Sequence, residues 1–191
     1  MKWILASQSP RRRELFGQLE KEFDIIPATG EEDTRGETSP ERVVITLAAQ
    51  KATEVAALPA AQGKAVLGSD TVVAFNGEIL GKPKDEQDAV RMLKLLSGNT
   101  HEVFTGVCII YPKKDGVVTH LAADCTKVTF EALTDEQIKA YVKSGSPMDK
   151  AGAYGIQDGG LVRHIEGSFS NVVGLPIELV KEMIEEIERN K

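Results

Sequence analysis

The sequence predicts an α/β fold, an extended mixed sheet flanked by helices, with two lobes and a cleft between them. Three observations carry this. Short apolar runs pass directly into capped helical stretches, as Trp3 to Ala6 does into Ser9-Pro10. Asn76-Gly77 joins two strand-like runs, Val72 to Phe75 and Glu78 to Leu80, and is a two-residue hairpin signal. Two long alternating runs, His101 to Tyr111 and Val117 to Phe130, flank the turn Lys113-Lys114-Asp115-Gly116 and predict antiparallel strands.

The remaining elements follow in order. After the first strand, a helix is expected from about Arg11 to Leu19, and Phe23 to Pro27 reads as a strand. Gly30 to Thr38 is polar loop. Ser39-Pro40-Glu41 then repeats the cap pattern and opens a long helix to about Leu58. Ala65 to Leu67 reads as a buried strand that ends in Gly68-Ser69-Asp70-Thr71. Asp85 to Leu96 is helical, and Thr134 with Gln137 forms a capping box for a helix reaching Ser144. Gly145 to Gly160 is glycine-rich and reads as an ordered functional loop. Leu161 to Ile165 and Phe169 to Val173 read as short strands, and Pro176 begins a final acidic helix. No clean linker divides the chain, so residues 1–191 are taken as one domain, with a lobe boundary near residue 85.

Composition narrows the function. With 23 Lys and Arg against 29 Asp and Glu, the chain carries a formal charge of -6, which repels nucleic acid and anionic membranes in bulk. An anionic substrate therefore needs a local basic pocket. Cys108 and Cys125 form no close pair and read as small buried thiols in a reduced compartment. His101, His120 and His164 show no metal-ligand spacing. The first apolar run is too short for a signal peptide and no segment approaches a membrane span, so a cytoplasmic location is expected.

Four segments could carry chemistry. In Ser7-Gln8-Ser9-Pro10-Arg11-Arg12-Arg13, three arginines crowd the first helical turn, where the helix dipole disfavours cations. That placement makes sense if an anion binds there, held by backbone N–H groups, serine hydroxyls and guanidinium forks. A solvated basic patch is the plainer reading. In Gly68-Ser69-Asp70-Thr71, Asp70 is a candidate general base or metal ligand, or a turn residue capping its own backbone. In Gly81-Lys82-Pro83, the lysine is fixed on a turn and could neutralise phosphate, although an ordinary surface lysine is the plainer reading of this motif alone. Lys150-Ala151-Gly152-Ala153-Tyr154-Gly155-Ile156-Gln157 offers small residues for close backbone approach and an amide suited to a base edge, or is a tight structural loop.

Together these segments closely resemble the Maf family of nucleoside triphosphate pyrophosphatases, once linked to septum formation. Leu96-Ser97-Gly98 with Thr100-His101, and Val173-Gly174-Leu175-Pro176, fit the family as well, so the resemblance runs from Ile4 to Pro176. It implies a fold similar to the inosine triphosphate pyrophosphatases, a homodimer, a divalent cation (Mg2+ or Mn2+) and release of pyrophosphate. It implies Asp70 as the catalytic acid-base residue. It implies phosphate binding by Ser7, Ser9, Arg11 and Arg12, with Glu32 as the loop carboxylate, Lys51 as the helix lysine and Lys82 as the Gly-Lys-Pro lysine. Arg13 lies outside the family's arginine pair. The late motif resembles the branch acting on dTTP and UTP, not the branch preferring 7-methyl-GTP, and marks Thr71 and Gln157 as specificity residues. Asp158-Gly159-Gly160 departs from the usual glycine-rich continuation.

The expected mechanism rests on charge. Asp70 and Glu32 would hold the cation, while Arg11, Arg12, Lys51 and Lys82 spread the rest of the triphosphate's charge. A non-enzymatic, nucleotide-sensing regulator of cell division would need the phosphate site but not Asp70.

Overall fold

A computed structural model describes residues 1–189. Seven strands form one mixed sheet: β1 (Trp3–Leu5), β2 (Phe23–Ile25), β3 (Ala65–Phe75), β4 (Glu78–Leu80), β5 (Thr100–Lys113), β6 (Gly116–Phe130) and β7 (Val162–Glu166). Six α-helices accompany it: α1 (Pro10–Gly17), α2 (Pro40–Ala56), α3 (Glu86–Leu96), α4 (Asp135–Lys143), α5 (Phe169–Val173) and α6 (Ile177–Arg189). The strand order is β2-β1-β3-β5-β6-β7, with β4 also on β3. The β1 pairings are parallel and all others antiparallel.

Period-two alternation sorts the strand residues between the two faces. Trp3, Leu5, Ala65, Leu67, Val107, Ile109 and Tyr111 pack with α1 and α6. The intervening Ile4, Ala6, Val66, Cys108 and Ile110 pack under α2, through Ala48, Ala52 and Val55. A further apolar cluster joins Val73, Leu80, Val103, Val128 and Phe130 to α3, α4 and Tyr154. Helix α2 lies unusually close to the sheet. A Cβ on Gly68 would come within 2.4 Å of the Ala48 carbonyl, and one on Gly106 within 2.3 Å of that of Val44. Only glycine permits this approach.

The helix starts follow the sequence signals. Ser9 and Thr134 cap as expected, the latter in a full capping box. Ser39 precedes α2 without a side-chain cap bond. Asn76 and Gly77 both take positive φ, 49° and 78°, and close the β3–β4 hairpin. Three expectations fail. Gly68-Ser69-Asp70-Thr71 does not follow a strand; it lies inside the continuous β3, because it pairs residue by residue with Val107 and its neighbours on β5. Phe169 to Val173 is the helix α5, because Ser168 accepts a bond from the Asn171 N–H and caps it, outweighing the aromatic and β-branched composition. Cys125 is exposed, not buried, because its side chain points off β6 beside Glu102.

His101 is buried behind this core. Its Nε2 lies 2.7 Å from the Tyr154 hydroxyl and its ring meets the Phe130 ring edge-on, while Nδ1 has no partner. Burial pulls its pKa down to about 4. The unfolded chain, with histidine near 6.5, then binds the extra proton first. The stability this provides is complete above pH 6.5 and is lost as pH falls towards 4. Between pH 7 and 5 the loss is expected to be roughly 2 kcal/mol. His101→Gln keeps a partner for Tyr154 and should flatten that part of the profile, measured by urea unfolding. An unchanged slope would remove His101 as its source.

Candidate active site

The site lies at a gap in the sheet. On one edge of β3, residues 65–67 pair with β1 and residues 73–75 pair with β4. Between these pairings β3 is flanked only on its β5 side among the described residues. Strand β1 ends at Leu5, and the chain turns through Ser7 and Ser9 into α1. The opening comes from the end of β1, so Asp70 reaches a cavity from mid-strand. The cavity is about 870 Å³, within the range that encloses a nucleotide-sized ligand.

Alternation on β3 then assigns the side chains. Val66, Gly68, Asp70 and Val72 face α2. Lys51 sits one position before Ala52 on the apolar stripe of α2, so its ammonium comes down beside Asp70. Lys51 Nζ lies 2.6 Å from Asp70 Oδ1 and 2.8 Å from Glu32 Oε1. One ammonium therefore bridges two carboxylates. Their environments differ. Asp70 is only 8% exposed, and burial pushes its carboxyl above the ordinary value against the pull of Lys51 and Arg12. Partial burial also works against the charge on Glu32. There the hydrogen bond and charge of Lys51, with Lys82 and Arg12 behind, prevail and hold the carboxyl below the usual range. Two acids whose environments separate their proton affinities are suited to different roles.

Ser69 and Thr71 point to the opposite face. Thr71 Oγ1 accepts from Arg12 Nη2 at 3.0 Å, and Arg12 Nε donates to the Gly174 carbonyl at 2.8 Å. Thr71 also bonds Thr105 at 2.9 Å, and Thr105 donates to the Asn171 carbonyl. The hydroxyl of Thr71 is thus occupied in bracing Arg12. Burial lowers the pKa of Arg12, with Arg11 adding to it and Asp70 opposing it. Ser7 Oγ accepts the Ser9 N–H at 3.1 Å, which shapes the turn ahead of α1.

The later segments close the cavity. Gly81 accepts from the Gly152 N–H at 3.0 Å, which ties the Lys82 turn to the late loop. That loop folds as three short 3-10 turns, Ser146–Asp149, Ala151–Ala153 and Ile156–Asp158. Gln157, on the last, lines the cavity and makes no hydrogen bond to another described residue. Arg11 donates to Asp149 at 2.9 Å. Ser7, Ser9, Arg11, Arg12, Glu32, Lys51, Asp70, Thr71, Lys82 and Gln157 all line the one cavity, and Arg13 does not. Asp149 lines it too and was not singled out from the sequence. Its position just ahead of Lys150-Ala151-Gly152 was the available signal.

Among the described residues no three acidic, histidine or cysteine side chains converge as a preformed metal cage. Asp70 and Glu32 instead offer two hard oxygen donors at one point. That set suits Mg2+ or Mn2+, which take one or two carboxylates and complete their shell with phosphate and water.

A buried acid facing fixed cations across a nucleotide-sized cavity defines an α/β protein built to handle a polyphosphate. Comparison with known proteins is specific. Residues 2–187 match the family model described as Maf-like protein, and the chain belongs to that family. A dTTP/UTP pyrophosphatase of Agathobacter rectalis is 49% identical over 189 residues, covering 91% of each chain. One from Thermococcus gammatolerans is 48% identical over 93% of this chain and 92% of its own. One from Clostridium perfringens is 46% identical over 97% of this chain and 96% of its own. No helix among the described residues is long and apolar enough to cross a membrane.

Proposed function

We propose that the protein is a nucleoside triphosphate pyrophosphatase that hydrolyses dTTP and UTP to the monophosphate and pyrophosphate, acting as a homodimer on the cytoplasmic nucleotide pool. The observation that carries the reading is the buried Asp70 carboxylate bonded to Lys51 beside the braced Arg12, in a chain similar to dTTP/UTP pyrophosphatases.

Arg12, Arg11 and Lys82 bind the phosphate chain, and the first of these is already oriented by Gly174 and Thr71. Asp70, whose environment favours the protonated form more than an exposed carboxylate does, takes the proton from the attacking water. The water oxygen bonds the α-phosphorus, the bond from that phosphorus to the β-phosphate oxygen breaks, and pyrophosphate leaves. Lys51 keeps Asp70 oriented and moderates its charge. A divalent cation held by Glu32 and Asp70 would supply Lewis-acid charge neutralisation at the phosphates. A panel of nucleoside triphosphates, with pyrophosphate and phosphate measured separately, tests the reading. Free phosphate as the first product would overturn it.

Gln157 is assigned to the base. A thymine or uracil edge presents one N–H between two carbonyl oxygens, which a primary amide can match by accepting and donating. Cytosine inverts part of that pattern, and an unpaired polar group in a closed pocket costs ~1–3 kcal/mol. Gln157→Ala is therefore expected to narrow the gap in kcat/KM between UTP and CTP by about tenfold. An equal fall on UTP, CTP, dTTP and ATP would mean that Gln157 only braces its loop.

A further inference from the structure

Tyr141 lies on α4 and does not line the cavity, yet its phenol holds both ends of the turn that carries Gln157. At the start of the turn, Tyr141 Oη accepts the Gly155 N–H at 3.0 Å. At its end, the same hydroxyl donates to Asp158 Oδ2 at 2.6 Å. Ser146 donates to the same carboxylate oxygen at 2.6 Å. Burial and the adjacent Asp158 carboxylate push the phenol well above its ordinary pKa, so it remains a donor at any physiological pH. The network continues to the phosphate end. Lys150 donates to Ser146 Oγ at 3.0 Å and to Asp149 Oδ1 at 2.9 Å, and Arg11 donates to the other Asp149 oxygen.

A primary amide reads a base edge only when it is held at the right distance and angle to the ring. Discrimination between uracil and cytosine then depends on how firmly the amide is held against the ring. Gln157 makes no hydrogen bond of its own to another described residue, so its position is set by its backbone. That backbone is a single 3-10 turn with glycine at positions 155, 159 and 160 around it, and Gly159 and Gly160 both take φ of 75°. Such a segment has little stiffness of its own. Its restraint comes from Tyr141 and from Asp158.

We propose that Tyr141 and Asp158 form a specificity-positioning pair that fixes the Gln157 turn against the pyrimidine. The proposal rests on the assignment of Gln157 to the base. Tyr141→Phe removes both bonds while keeping the ring, and it should lower the UTP-to-CTP ratio of kcat/KM by about tenfold. The change should appear mainly in KM for UTP, with kcat within about threefold of wild type. Asp158→Ala should reproduce it. Asp158→Asn, which still accepts the phenol proton, should restore most of the discrimination.

The decisive measurement is a double-mutant cycle. In a Gln157→Ala background, Tyr141→Phe should leave the UTP-to-CTP ratio unchanged, because the residue it positions is gone. Thermal unfolding of each variant separates loss of fold from loss of positioning. A proportional loss on every substrate, or an additive effect in the double variant, would overturn the proposal and leave the pyrophosphatase reading intact. A wild-type enzyme that treats UTP and CTP alike would overturn the base assignment itself, and the positioning role with it.

Discussion

Asp70→Asn is expected to lower kcat for pyrophosphate release by ~10²–10⁴-fold while triphosphate binding persists, because general-base catalysis contributes on that order. Asparagine has nearly the same shape and can still accept the bond from Lys51 through its carbonyl oxygen. It cannot take a proton, and it is a weaker ligand for a divalent cation. The geometry isolates that chemical difference. Asp70 is held on one side by β3 pairing with Gly106 and on the other by Lys51, so the substituted side chain has little reason to move. Glu32 does not replace it. It sits on an exposed loop, and its neighbours favour the ionised form. Single-turnover rates with UTP, together with a binding isotherm for the triphosphate, read the two effects separately. A variant keeping more than about a tenth of the wild-type rate would remove Asp70 from the base role. Loss of binding with an unchanged single-turnover rate would assign it to phosphate or cation binding alone.

The parts of this site that were legible in the sequence are local ones. Ser9 and Pro10 announce the start of α1, and the arginines that follow sit against the helix dipole in a way that calls for an anion. The motif residues also identify the family, whose model the chain matches. What the sequence hid depends on pairing at long range. Nothing near Asp70 says that β3 continues through it, because Gly68, Ser69 and Asp70 are poor strand formers and only their register with β5 keeps them extended. Nothing near Leu5 says that the sheet opens where β1 stops. Thr71 illustrates the same limit. The family resemblance marks it as a specificity residue, and its hydroxyl also bonds Arg12 and Thr105, residues 59 and 34 positions away. The misread α5 is the converse case. Phe169, Val172 and Val173 suit a strand, and the decisive bond is made by the preceding Ser168.

Arg12→Ala is expected to lower kcat/KM on UTP by roughly 10–150-fold, the equivalent of about 1.5–3 kcal/mol for a charge-assisted contact. The bracing of Arg12 is the reason to expect an effect near the upper end. Its Nε is committed to the Gly174 carbonyl and one Nη2 donor to Thr71, so the fork is oriented before substrate arrives and its remaining N–H groups are free for phosphate. Arg12→Lys should recover little. An ammonium on a flexible stem cannot hold Gly174 and Thr71 together while also presenting a planar pair of donors to phosphate. Arg11 provides the control, one residue away in the same helical turn. It forms an ion pair with Asp149, a carboxylate that is largely exposed, and a triphosphate must compete with that acid for its guanidinium. Arg11→Ala should therefore cost less than Arg12→Ala. Steady-state kinetics of the three variants, with monophosphate affinity measured in parallel, check the ranking. Full activity in Arg12→Lys would show that charge alone matters at this position. A larger loss in Arg11→Ala than in Arg12→Ala would place the principal phosphate contact at the loop end of the cavity, with Arg12 left as a tie between α1 and Gly174.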